Sequence, residues 1–222
     1  MVSILVIRRL RSTLRREDGF SLVELSAGMI LSSMIAAALM TVFYAFSQNT
    51  SDLAATSSVQ ADLRSVIADQ VVEIRQAVRA DPDGEPVESL DASRLAFYTR
   101  NYASGEIERV VYERKECVGG ECELWVNRYA LSETDGGVST FEAIPYQASL
   151  LMTEVLSDQP LFVGIEYSGE PLTAVETASC DGASIDCDFP MVGITLRAHR
   201  DAVSSGPITP IELHQEVSIR SA

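Results

Sequence analysis

The sequence predicts an α+β protein in which one long N-terminal helix packs on a mostly antiparallel sheet. Three observations carry that expectation. Phe20–Phe46 is an almost unbroken apolar run, and Glu24 is the only charge between Gly19 and Ser51. Ser51–Ala80 keeps helical spacing but is apolar on one face, through Val59, Leu63, Val66, Ile67, Val71, Ile74 and Val78. Beyond residue 81 the rhythm changes to short, partly alternating segments rich in Val, Ile, Tyr and Phe, the pattern of strands.

The helix comes first. At ~1.5 Å per residue, Phe20–Phe46 forms a rod of about 40 Å, longer than the ~30 Å hydrocarbon core of a bilayer. Residues 1–19 hold Arg8, Arg9, Arg11, Arg15 and Arg16 against Glu17 and Asp18. From Gln48 onward 12 basic residues face 29 acidic ones. A basic head, an apolar bridge and an acidic body describe a single membrane pass, with the arginines kept in the cytoplasm and the body exported. No Gly or Pro interrupts Met29–Ala80, so one helix is expected from about Ser21 to Ala80. The prolines and glycine of Asp81–Pro86 end it.

Strands are expected at Arg94–Arg100, Ile107–Glu116, Glu123–Leu131, Leu161–Tyr167, Met191–His199 and Ile211–Ile219. Cys117-Val-Gly-Gly-Glu-Cys122 sits between two of them as a hairpin tip. Ala148–Leu156 fits a short helix or a strand equally well. The domain plan is therefore a leader over 1–19, a membrane half-helix over 20–46, an amphipathic half-helix over 47–80 and a β-rich head over 81–222.

Composition excludes several functions. A formal charge of −15 on 222 residues repels phosphate backbones, so direct nucleic-acid binding is not expected. Lys115 is the single lysine and has no glycine-rich run before it, so there is no P-loop. No HExxH, GxSxG or GxGxxG occurs, and His199 and His214 are the only histidines. They fall on successive expected strands with no nucleophile beside them, the setting of structural histidines. Trp125, the single tryptophan, is read as a sheet-packing residue. The chain is not expected to be an enzyme.

The string before the apolar run is Arg15-Arg16-Glu17-Asp18-Gly19-Phe20-Ser21-Leu22-Val23-Glu24-Leu25. It closely resembles the processing site of type IV pilins and of the pseudopilins of type II secretion. That resemblance implies cleavage after Gly19 by a prepilin peptidase, methylation of the new N-terminal Phe20, and a fifth mature residue, Glu24, that sets register during assembly. It covers the leader and helix specifically, and the remainder only in layout. The segment before Gly19 departs from the simplest pattern by opening with the apolar Met1–Ile7. Physical chemistry gives Glu24 the same role: a carboxylate in the apolar span costs roughly 2.5–3.5 kcal/mol at the helix centre, less near its end, unless paired. No basic residue on its own mature helix is within reach. The α-amino group of a neighbour's Phe20 is the natural partner, and the pairing favours side-by-side packing in one axial register.

Two local features are similar to J-type minor pseudopilins and W-type minor pilins: Ser149–Val155 leading into Leu161–Tyr167, and the ending Val192–Arg197, a loop, then Ile211–Arg220. The resemblance implies a subunit of the complex that primes assembly and stays at the filament tip. Its partners would be the prepilin peptidase, other major and minor pilins or pseudopilins, the inner-membrane assembly platform and membrane lipid. A plain signal anchor carrying an extracytoplasmic binding or sensing domain is the alternative. A conventionally secreted protein cut near Ala36-Ala37-Ala38 is another, though Glu24 would then stand inside an overlong apolar core.

The four cysteines fall in two close pairs, Cys117/Cys122 and Cys180/Cys187. In an exported body such pairs form disulfides, and of three possible connectivities the two local ones are favoured. Free thiols and zinc compete, but neither pair has CxxC spacing. Asp181, Asp186 and Asp188 flank the second pair, and Asp81, Asp83 and Glu85 cluster after the helix. Calcium is the ligand such loops would take, though neither completes an EF-hand, and a solvated acidic turn explains both. No other cofactor is expected.

Overall fold

A computed structural model describes residues 21–82, 84–135, 138–166, 168–171, 190–199 and 210–219. The chain divides into two compact units, residues 1–50 and 51–222. Helix α1, Leu22–Ile74, is 53 residues long and runs through both.

In the first unit the described part is helix alone. Its large apolar side chains from Leu22 to Phe46 are all exposed. Three of its hydroxyl groups bond to the helix backbone: Ser26 Oγ donates to Val23 O at 2.9 Å, Ser33 Oγ to Ile30 O at 2.8 Å and Thr41 Oγ1 to Ala37 O at 2.7 Å. Hydroxyl groups bonded back to the helix in this way leave fewer unmet polar groups on a surface that is mostly apolar. It is long and apolar enough to cross a membrane.

In the second unit, the rest of α1 buries one stripe, Leu63, Ile67, Gln70 and Ile74, against a sheet. Val59, Val66 and Val71 flank that stripe, half-buried. The helix ends six residues before the expected stop at Ala80. Gln76 N and Ala77 N tighten to i−3 bonds on Glu73 O and Ile74 O, both at 3.0 Å, and Val78 N then donates to Tyr98 O at 2.8 Å. The apolar spacing continues to Val78, but its backbone is captured by the sheet. No Gly or Pro marks that stop.

Among the described residues nine antiparallel strands form one curled sheet: β1 (Val87–Leu90), β2 (Arg94–Arg100), β3 (Ile107–Val118), β4 (Glu121–Asp135), β5 (Val138–Phe141), β6 (Gln147–Leu156), β7 (Phe162–Ile165), β8 (Met191–Ala198) and β9 (Ile211–Ser218). Their order is β1-β2-β3-β4-β6-β8-β7, with β5 added to β4 and β9 to β8. The 15-residue β4 is the spine, pairing with β3 on one side and with β5 and β6 on the other. By contrast, β6 and β8 meet at one pair, Val155 with Ala198. Alternation selects the buried face: Val110 and Tyr112 on β3, Leu124 and Val126 on β4, and Val192, Ile194 and Leu196 on β8 all join the core beneath α1.

The undecided segment at Ala148–Leu156 is a strand, β6, because its backbone pairs with β4 across Glu121–Asn127. Two strands, β1 and β5, were not foreseen; each is four residues long, too short for alternation to register. Leu161–Tyr167 narrows to Phe162–Ile165, and Tyr167 lies outside the described residues.

Candidate functional site

Of the residues singled out by the sequence, Glu24 stands in the first turn of α1. Ser21 is the N-cap: its Oγ accepts from Val23 N at 3.2 Å and from Glu24 N at 3.4 Å. Glu24 answers by accepting from Ser21 N at 3.4 Å. This is a capping box, in which two otherwise unpaired helix donors are satisfied reciprocally, and a carboxylate in the first turn also favours the positive end of the helix dipole. At 3.4 Å these bonds are long, so the carboxylate is weakly held and open to a stronger cationic partner. The Ser-x-x-Glu spacing before an apolar run was the signal for the box, and it lay inside the string whose resemblance is to a processing site. Gly19 and Phe20 lie outside the described residues.

Cys117 and Cys122 are joined by a disulfide across the tip of the β3–β4 hairpin. The turn is the pair Gly119 and Gly120, with φ of 65° and 95°, as a two-residue hairpin loop of this hand requires. Cys180, Cys187, Asp181, Asp186 and Asp188, with Asp83 of the other acidic cluster, lie outside the described residues. Asp81 serves the fold, because its Oδ1 accepts from Ser139 N at 2.7 Å and ties β5 to the chain leaving the helix. Among the described residues no three His, Cys, Asp or Glu side chains are grouped to hold a metal ion.

His214 stands opposite Thr195 on β8, with Thr195 Oγ1 and His214 Nδ1 2.9 Å apart. His199 follows the end of β8, and its buried Nδ1 has no hydrogen-bond partner among the described residues. Trp125 is half-buried on the sheet face away from α1, donating from Nε1 to Glu123 at 2.7 Å under the Lys115 ammonium, 5.0 Å from its ring.

One arrangement had no signal in the sequence. Beneath the last turn of α1, Arg128 Nη1 bridges Glu73 and Glu108, reaching Glu108 Oε1 at 2.8 Å. Tyr112 donates its hydroxyl to Glu73, and Tyr146 donates to Glu108. Asn101 Nδ2 adds a bond to Glu108 Oε2 at 3.0 Å. Burial and then the Glu73 carboxylate push the Tyr112 phenol well above its ordinary range. Burial and then the Glu108 bond raise Tyr146 as well. Burial alone would lower Arg128, but Glu73 and Glu108 outweigh it and hold the guanidinium firmly charged. Every member is satisfied by another, so the network clamps the helix end to the sheet and offers no free acid or base.

No protein-family model, no curated protein and no solved structure matches this chain.

Proposed function

We propose that this chain is a minor pilin or pseudopilin: a non-enzymatic subunit cleaved after Gly19, methylated on Phe20, held in the inner membrane by its helix with the head extracytoplasmic, and then lifted into a filament. The observation that carries the reading is the solitary Glu24 at the head of an exposed apolar helix, directly after Gly19-Phe20. A carboxylate there is stabilised by a cation from another chain, and a neighbour's cut α-amino group supplies one at the right depth. The capping box is compatible with processing, since Ser21 and Glu24 both remain on the mature chain. Within the family, the sequence of Ser149–Val155 with Leu161–Tyr167, and of Val192–Arg197 with Ile211–Arg220, is similar to that of a J- or W-type subunit, which would place this chain at the filament tip. Its partners are then the prepilin peptidase, fellow pilins or pseudopilins and the assembly platform.

Intact mass with N-terminal sequencing, on protein from native membranes, tests the reading. A chain beginning at Phe20 and heavier by one methyl group is expected. A chain still beginning at Met1 makes the anchored, unassembled binding domain the better account. One beginning just after Ala38 makes the protein conventionally secreted.

A further inference from the structure

Two register demands meet at the tip of the β3–β4 hairpin and disagree by one residue. Lys115 stands opposite Glu123, whereas Val118 stands opposite Glu121, so Glu116 and Cys117 together face the single residue Cys122. That is a β-bulge, and its first residue takes the left-handed conformation that glycine ordinarily supplies. Here the residue is Glu116, with φ of 56°. An L side chain is disfavoured there, and such a residue persists only where its surroundings impose the conformation.

The disulfide imposes it. Regular pairing continued from Lys115 and Glu123 would set Glu116 opposite Cys122 and Cys117 opposite Glu121. Side chains alternate between the faces of a sheet, so Cys117 and Cys122 would then point away from one another, beyond bonding. The bond between them therefore belongs to the bulged register alone. The unbulged tip has a suitable turn of its own. Val118-Gly119-Gly120 becomes a three-residue loop, whose last position is left-handed and is here a glycine. Both arms are held outside the tip. Gly120 O accepts from Ser157 N at 3.0 Å and from Ser157 Oγ at 3.1 Å, which fixes the β4 arm. Arg114 Nη1 donates to Leu156 O and Gln159 O, both at 2.9 Å, which fixes the β3 arm. A change of register is thereby confined to Glu116–Val118.

We propose that the β3–β4 tip is a redox switch between two registers, bulged while Cys117 and Cys122 are bonded and slipped by one residue over Glu116–Val118 once a dithiol reduces them. Cys117 is exposed and Cys122 buried, which sets the direction of attack. A thiolate of the dithiol attacks Cys117 Sγ, the bond between the two sulfurs breaks, and Cys122 leaves as a thiolate and takes a proton. The second thiol of the reductant then displaces Cys117 as its thiol. The chain gains two electrons and two protons, and the dithiol becomes a disulfide. The slip puts Glu116 in the place Cys117 held and carries the Cys117 thiol to the sheet face away from α1, beside Lys115.

Cross-strand nuclear Overhauser contacts in the full-length, isotope-labelled chain in detergent micelles, recorded before and after dithiothreitol, test the switch. Oxidised protein is expected to show Val118 against Glu121. Reduced protein is expected to lose that contact and to gain Cys117 against Glu121 and Glu116 against Cys122, with the cysteine Cβ shifts reporting the reduction. Cys117→Ser with Cys122→Ser should give the slipped contacts without reductant, which separates this bond from Cys180 and Cys187. Glu116→Gly tests the cause: glycine takes φ of 56° freely, so its reduced tip should keep Val118 against Glu121. Contacts unchanged on reduction, or lost with no new register in their place, overturn the proposal. So does a Glu116→Gly chain that slips as wild type does. Should the serine pair fail to fold, the reduced wild-type chain carries the comparison alone.

Discussion

Glu73, in the last turn of α1, and Arg128, in the middle of β4, form an ion pair that fastens the helix end to the spine of the sheet. Arg128 also neutralises Glu108, whose side chain is 7% exposed, so one guanidinium serves two shielded carboxylates. Arg128→Met leaves both acids facing one another with no counter-charge. Breaking a buried pair from one side is worth roughly 3–5 kcal/mol, and the partial exposure of this one places the expected loss at the low end. Urea denaturation should show that fall in midpoint, and Glu73→Gln with Glu108→Gln in the Arg128→Met background should recover most of it. An Arg128→Met midpoint equal to wild type would show that the clamp contributes nothing.

The buried phenols make the head sensitive to alkali. Burial, with Glu88 adding to it, pushes Tyr98 up to about 12, and Tyr112 is raised further by burial and Glu73. The sign follows from linkage: above pH 10 the unfolded chain loses phenolic protons that the folded chain still holds. Their contribution is thus complete below pH 10 and declines as pH rises through the folded values. Thermal unfolding followed by near-ultraviolet circular dichroism should show melting temperature falling above pH 10. Tyr98→Phe with Tyr112→Phe should flatten that slope, whereas Tyr102→Phe, at an exposed site, should leave it unchanged.

Gln70 is the weak point of the helix–sheet seam. It is fully buried between Ile67 and Ile74, and neither its Nε2 nor its Oε1 has a hydrogen-bond partner among the described residues. An unmet buried amide costs about 1–3 kcal/mol, so Gln70→Leu, similar in volume and matched to its neighbours, should raise the urea midpoint by that order. A lowered midpoint would mean that an ordered water satisfies the amide, because removing Gln70 would then strip that water of its partner.

What could be read from the sequence depended on how local its physical cause was. The membrane-length helix, the amphipathic stripe through Leu63, Ile67 and Ile74, the Cys117–Cys122 hairpin and the long strands each follow from periodicity or spacing within a dozen residues. The true end of α1 depends on Tyr98 O, far along the chain, and no local residue announces it. Gln70 was passed over because a polar residue in an apolar stripe looks like the solvent side of the helix. The Glu73–Arg128–Glu108 bridge joins residues that meet only once three elements are stacked, so charge patterning along the chain could not show it. At the candidate site the reverse holds: the whole box, Ser21 through Glu24, was legible, but the same string also resembles a processing site, so it carries two readings.

Those two readings can be separated. Ser21→Ala removes the Oγ cap and keeps the Glu24 charge, whereas Glu24→Gln keeps a side chain that can still cap and removes the charge. Losing an N-cap weakens a helix end by about 0.5–2 kcal/mol, a fraying of the first turn that a 53-residue helix tolerates. Losing the charge removes the only ionic contact Glu24 can offer a neighbour. If Glu24 sets register, filament incorporation should collapse in Glu24→Gln, measured as the fraction of mature chain in sheared filaments, and survive in Ser21→Ala. On the function proposed above, both variants should still be cut after Gly19, which isolates the defect to assembly. The opposite ranking, with Ser21→Ala defective and Glu24→Gln normal, would assign Glu24 to helix capping and leave the register role without a residue to carry it.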